Sequence, residues 1–125
     1  MLADKNLIAL VPTMDASRAK AFYADKLGLR FVSEDPFAVV FDANGIMLRL
    51  TKVKEFTPQP FSILSWEVPD IEVAVRQLTT AGVTFERYGS FEQDELGIWT
   101  APEGTKVAWF LDPDRNNLGI VQHSR

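Results

Sequence analysis

Apolar residues along this chain come in short runs broken by turn formers, with two stretches where they recur at helical spacing instead. The first run, Leu7-Ile8-Ala9-Leu10-Val11, reads as a buried strand stopped by Pro12. Asp15 or Thr13 then offers a side-chain oxygen to cap a helix, in which Ala19, Phe22, Tyr23 and Leu27 share one face. Gly28 is placed to end that helix in the left-handed conformation, which suits a residue without Cβ. Leu29-Arg30-Phe31-Val32 resumes as a strand. Phe37 to Phe41, the turn Asp42-Ala43-Asn44-Gly45 and a second strand from Ile46 to about Val53 then form a hairpin.

The same order returns after residues 54–60, the one linker-like stretch. Ser62 to Val68 reads as a strand ended by Pro69, and Asp70 is the next cap. Ile71, Ala74, Val75 and Leu78 give the second helix its apolar face, and Gly82 closes it. Val83 to Tyr88 reads as a strand, residues 89–97 as an acidic loop, and Ile98-Trp99-Thr100 as a short strand. Lys106 to Leu111, the turn Asp112-Pro113-Asp114-Arg115-Asn116-Asn117, and Leu118 to Val121 complete the chain as two adjacent antiparallel strands. Asp15 lies 13 residues before Gly28 and Asp70 lies 12 before Gly82, and Leu27-Gly28-Leu29-Arg30-Phe31 matches Ala81-Gly82-Val83-Thr84-Phe85 in pattern. Each half therefore reads β-α-β-β-β: one α+β domain, residues 1–125, with an internal repeat of two modules at about 1–55 and 61–125.

Composition narrows the function classes. With 125 residues, 46% of them hydrophobic, the chain is long enough to bury one core, while either half alone would be marginal. A net charge of −4 without a Lys/Arg cluster argues against a nucleic-acid surface, which needs grouped cations to neutralise phosphates. The absence of cysteine excludes disulfides, thiolate metal sites and Cys nucleophiles. The Leu7–Val11 run is far too short for a signal core or a membrane span, so a soluble cytoplasmic protein is expected.

Three segments carry a resemblance to a known family: Asp15-Ala16-Ser17-Arg18-Ala19-Lys20-Ala21-Phe22-Tyr23 running into Leu27-Gly28-Leu29; Ser65-Trp66-Glu67-Val68-Pro69-Asp70; and Phe110-Leu111-Asp112-Pro113-Asp114-Arg115-Asn116. With them the chain resembles the glyoxalase, bleomycin-resistance and extradiol-dioxygenase (vicinal oxygen chelate) superfamily. The resemblance implies two βαβββ modules whose strands wrap into one curved, cup-shaped mixed sheet with helices outside. It also implies a ligand inside the cup and a homodimer. Enzymes of this superfamily hold one divalent metal with four side chains, from the first and last strand of each module. Laid on that pattern from its own landmarks, this sequence places Ile8, Arg49, Ile63 and Gly119 at the four positions. None is a metal donor, and a register shift of one brings in Leu7 or Ala9, Leu48 or Leu50, Ser62 or Leu64, and Leu118 or Ile120, which are no better. The one histidine, His123, reads as a surface residue near the C-terminus. The expectation is therefore no metal and no cofactor, and the closer analogy is with metal-free relatives that sequester drug-like molecules.

Strand alternation puts Ile8, Met47, Arg49, Ile63, Ser65, Gly119 and Val121 on the inward face, with Phe41, Trp99 and Trp109 as candidate aromatic walls. Arg49 would anchor an acidic group through paired hydrogen bonds, or else form an internal ion pair with Glu67 or Glu86. Trp66 should pack under the helices. The acidic loop Phe91 to Glu95 reads as a solvated loop or a lid. The expected function is metal-independent binding of an apolar or aromatic small molecule, with or without an anionic group. The alternative is a glyoxalase-like lyase or isomerase using a displaced metal site or Glu67 or Glu86 as general base.

Overall fold

Two aspartates start the helices and two glycines end them. In the computed structural model, which describes residues 1–124, the Asp15 carboxylate accepts from the Arg18 backbone N–H at 3.1 Å and the Asp70 carboxylate from Val73 at 3.2 Å. Thr13 is not the cap; its hydroxyl oxygen accepts from the Asp15 N–H at 3.2 Å and so steadies the capping residue. The first helix, α1 (Ala16–Ala21), widens into a π-helical turn at Phe22–Lys26, with the Leu27 N–H reaching back to the Phe22 carbonyl at 3.1 Å. The second, α2 (Ile71–Thr80), stays regular. Beyond them Gly28 and Gly82 turn the chain at φ +72° and +102°, where a side chain is strained.

The chain divides into two compact units on either side of the Thr57–Pro58 bond. In the first, β1 (Ile8–Thr13), β2 (Arg30–Glu34), β3 (Ala38–Ala43) and β4 (Ile46–Lys52) form a four-stranded sheet in the order β1-β4-β3-β2. β1 runs parallel to β4, and the other pairs are antiparallel. In the second, β5 (Leu64–Glu67), β6 (Trp99–Thr100), β7 (Lys106–Leu111) and β8 (Asn117–Gln122) repeat that order as β5-β8-β7-β6. The protein is thus an α+β fold of paired βαβββ modules, with its strands in two four-stranded mixed sheets. Pro12 does not stop the first strand. β1 lies at a sheet edge, where a residue lacking an N–H is tolerated, and the ladder runs on through Pro12↔Thr51 to Thr13↔Lys52.

Within each unit one sheet face is covered by its helix. Val11, Val39, Phe41, Leu48 and Leu50 are buried on the α1 side with Ala19, Phe22 and Tyr23. Ala108, Phe110, Leu118 and Ile120 are buried on the α2 side with Ile71 and Val75. Trp66 stacks on Phe110 there, ring centroids 6.5 Å apart. The repeat reaches the side chains: Phe31 meets Phe41 edge-on at 6.0 Å, and Phe85 meets Phe110 edge-on at 5.5 Å.

Residues 83–88 depart from the expected strand. Only Phe85 bridges to Phe110, and the Glu86 N–H donates to the Trp109 carbonyl at 2.8 Å. The Gln93 side chain takes the other backbone groups, accepting from the Tyr88 N–H at 2.7 Å and donating to the Glu86 carbonyl at 2.9 Å. A strand whose backbone groups are taken by a side chain cannot extend its ladder.

Candidate functional site

The face of each sheet turned away from its helix carries most of the residues singled out from the sequence. In the first unit, Ile8 stands beside Met47, and Arg49 stands between Leu10 of β1 and Val40 of β3. Ile8 and Met47 are 50% and 42% exposed, so this face is apolar and open. A cleft of about 380 Å³ is lined there by Ile8, Val32, Val40 and Met47, with Arg30 and Asp42 at its margin. Arg49 is half-buried, and its side chain makes no hydrogen bond or ion pair within 4 Å among the described residues. Its charge is felt at Asp35, whose carboxyl lies below the usual carboxylate range. The main cause is hydrogen bonding from the Phe37 and Ala38 N–H groups, with a smaller pull from Arg49. Phe41 is a correction: it pairs with Leu48, not with Arg49, so its ring lies on the α1 side, wholly buried against Tyr23 and Phe31. Strand parity decides this, because residues one apart along a strand face opposite ways.

In the second unit, the register sets Ser65 beside Gly119, Gly119 beside Trp109, Val107 beside Val121 and Trp99 beside Val107, all on one face. Ile63 precedes β5, its N–H bonded to the Asn117 carbonyl at 2.9 Å, and remains exposed. Trp99 and Trp109 lie with ring centroids 6.2 Å apart, and Phe91 packs 5.0 Å from each. Tyr88 meets Trp109 edge-on at 5.5 Å. Four rings in such offset and edge contacts are worth more than their buried area alone. A cleft of about 400 Å³ opens against them, lined by Phe61, Tyr88, Phe91 and Trp109, with Ser62 and Asn117 as polar groups. The Asn117 amide donates to the Tyr88 hydroxyl at 2.9 Å, and the Ser62 hydroxyl donates to the Asn117 oxygen at 3.3 Å. Burial raises the Tyr88 pKa, Asn117 offsets part of that, and the nearby Glu86 charge adds to the rise.

Tyr88, Phe91, Ser62 and Asn117 were not singled out from the sequence. They come from loops and from a strand end, and no spacing unites them. The acidic loop is pinned in place. Gln93 donates to the Gly97 carbonyl at 2.8 Å, and Arg87 donates to the Asp94 and Glu95 carbonyls at 2.5 and 2.7 Å. Its aromatic member, Phe91, is a wall of the cleft. His123 also departs from a bare surface role, because its Nδ1 lies 2.5 Å from Glu67 Oε2 beside an open polar cleft of about 710 Å³.

The four residues that sequence landmarks lay on the superfamily's metal-ligand pattern are poor metal donors. Ile8, Ile63 and Gly119 offer no donor atom, and the Arg49 guanidinium is a cation. Among the described residues, no group of three or more His, Asp or Glu side chains is arranged to hold a metal ion.

The model of the Glyoxalase/Bleomycin resistance protein/Dioxygenase superfamily matches residues 7–120. This chain belongs to that superfamily. Solved structures share its fold: a superfamily member from Sphaerobacter thermophilus DSM 20745 is 24% identical with a TM-score of 0.74, the alignment covering 98% of this chain and 100% of that one. A bleomycin-binding protein complexed with bleomycin is 21% identical with a TM-score of 0.73, covering 96% and 99%. A lactoylglutathione lyase from Agrobacterium tumefaciens is 18% identical with a TM-score of 0.68, covering 94% and 93%. No curated protein matches the chain.

Proposed function

We propose that this chain is a metal-independent small-molecule-binding protein, cytoplasmic and homodimeric, which holds an apolar or aromatic ligand against an open sheet face. The observation that carries this reading is the aromatic cleft of the second unit. Trp109, Phe91, Tyr88 and Phe61 line a space of about 400 Å³ with a few placed polar groups, the composition and size of a small-molecule site. The non-donor residues at the four metal positions support binding without a metal. On the first unit's own open sheet face, Arg49, whose side chain makes no hydrogen bond or ion pair within 4 Å among the described residues, is the proposed contact for an acidic group of a ligand bound on that face.

The test is a thermal-shift and tryptophan-fluorescence titration of metal-stripped protein. Neutral and acidic aromatic compounds should raise the melting temperature and quench Trp109 emission, whereas Mn, Fe, Ni and Zn salts should do neither. Saturation at about a hundred times Kd stabilises the native state by about 2.7 kcal/mol, well within reach of the assay. Arg49→Ala should weaken acidic aromatics selectively. A large shift with one divalent metal, or no response to any aromatic compound, would overturn the reading.

One contact favours a second reading, a lyase or isomerase working through a glutamate base. Glu67 hydrogen-bonds the only histidine, and a carboxylate–imidazole pair is a common unit of acid–base catalysis. Turnover of a glyoxalase-type substrate that is lost in both Glu67→Gln and His123→Ala, with ligand binding retained, would establish it. Absence of turnover in the parent protein rules it out.

A further inference from the structure

Two mostly apolar clefts of the second unit share a wall, and only one of them is lined by charged side chains. The aromatic one presents Phe61, Phe91 and Trp109; its neighbour, about 430 Å³, presents Gln59, Glu86 and Arg115. Pro60, Tyr88 and Asn117 line both. That neighbour's two charged side chains have no partner of their own among the described residues. Neither Glu86 nor Arg115 makes a side-chain hydrogen bond or an ion pair within 4 Å among the described residues, with each other or with anything else. Glu86 is half-buried and near enough to Tyr88 to push that phenol's pKa up. Arg115 is exposed and stands in the β7–β8 turn at φ +68°, a left-handed conformation that disfavours a residue with a Cβ. Asp112 holds it there by accepting from the Asp114 and Asn116 N–H groups at 2.9 Å each. Strained backbone fixed by its surroundings often marks a functional position.

Charge matching then selects the ligand. A simple anion drawn to Arg115 would meet the Glu86 carboxylate, and a simple cation drawn to Glu86 would meet the guanidinium. A head group carrying both charges satisfies both, and an adjoining aromatic body fills the neighbouring cleft. We propose that the two clefts form one bipartite site for an aromatic compound with a zwitterionic head, of the aromatic amino-acid type. The ring lies against Trp109 and Phe91, the ammonium faces Glu86, the carboxylate faces Arg115, and the Tyr88–Asn117 pair stands at the junction. This rests on the aromatic-cleft reading above and specifies its ligand.

The experiment is a tryptophan-fluorescence titration of the full chain with four probes: phenylalanine, its amine analogue phenethylamine, its acid analogue 3-phenylpropanoate, and neutral 2-phenylethanol. None of them absorbs where tryptophan is selectively excited. Phenylalanine should bind at least about tenfold more tightly than any of the other three. Arg115→Gly keeps the left-handed turn and should erase the advantage over phenethylamine. Glu86→Gln should erase the advantage over 3-phenylpropanoate, and the weak affinity for 2-phenylethanol should survive both changes. Equal quenching by all four probes, or a phenylalanine affinity unmoved by both substitutions, would overturn the head-group assignment while leaving the aromatic cleft standing. Silence from every probe would remove the cleft itself.

Discussion

Asp112 is nearly fully buried, and its two carboxylate oxygens serve the turn from both sides. One accepts from the Asp114 and Asn116 backbone N–H groups, the other from the Asn116 side chain, each at 2.9 Å. Asp112→Ala would strand these donors and should cost on the order of 3 kcal/mol, read by urea denaturation. The Asp-Pro-Asp motif was legible as a turn from residue chemistry alone. That its first aspartate is the organising member required the hydrogen bonds. Asp35 makes a different prediction. Because the Phe37 and Ala38 N–H groups lower its pKa in the folded state, its contribution to stability is fully present above the usual value of 3.8. It is lost as pH falls through the lower folded value. Glu34, lowered chiefly by its hydrogen bond from Lys52 at 2.9 Å, acts in the same direction. Asp35→Asn should therefore lower stability at neutral pH and flatten the acid limb of a stability–pH curve below about pH 4.

At the scale of elements, the helices and their stops followed from local rules, since a capping aspartate, an apolar stripe and a terminal glycine act within one or two turns of chain. The strand expected at residues 83–88 did not, because the competitor for its backbone, Gln93, lies five residues beyond its end. A polar side chain in an acidic loop carries no mark that it will bond three backbone groups. Gln93→Ala releases those three bonds and should destabilise the protein by about 2 kcal/mol. Amide hydrogen exchange should quicken around Tyr88 and Phe91, and Trp109 emission should change as Phe91 leaves its ring. Unchanged exchange in this loop would mean that the aromatic contacts, not Gln93, hold it.

For the whole molecule, the repeat predicts equivalent cores. Phe41 and Phe110 are each wholly buried, each meets a phenylalanine from the segment after its helix, and each lies on the helix side of its sheet. Phe41→Ala and Phe110→Ala should each cost about 3–5 kcal/mol, measured by chemical denaturation. A large loss in one with little in the other would show that the two units do not carry stability alike. Read residue by residue, the chain already showed the α+β class, the βαβββ repeat and the superfamily. All of these depend on residue type and on periods of two or 3.6 residues along the chain. Strand pairing and loop packing were needed to see that Phe41 belongs to the core, that the Arg49 side chain makes no hydrogen bond or ion pair among the described residues, and that Tyr88, Phe91, Trp109 and Asn117 converge on one cleft. Those facts depend on which strands pair, in which register, and on hydrogen bonds between segments far apart in the chain, and no local pattern encodes them.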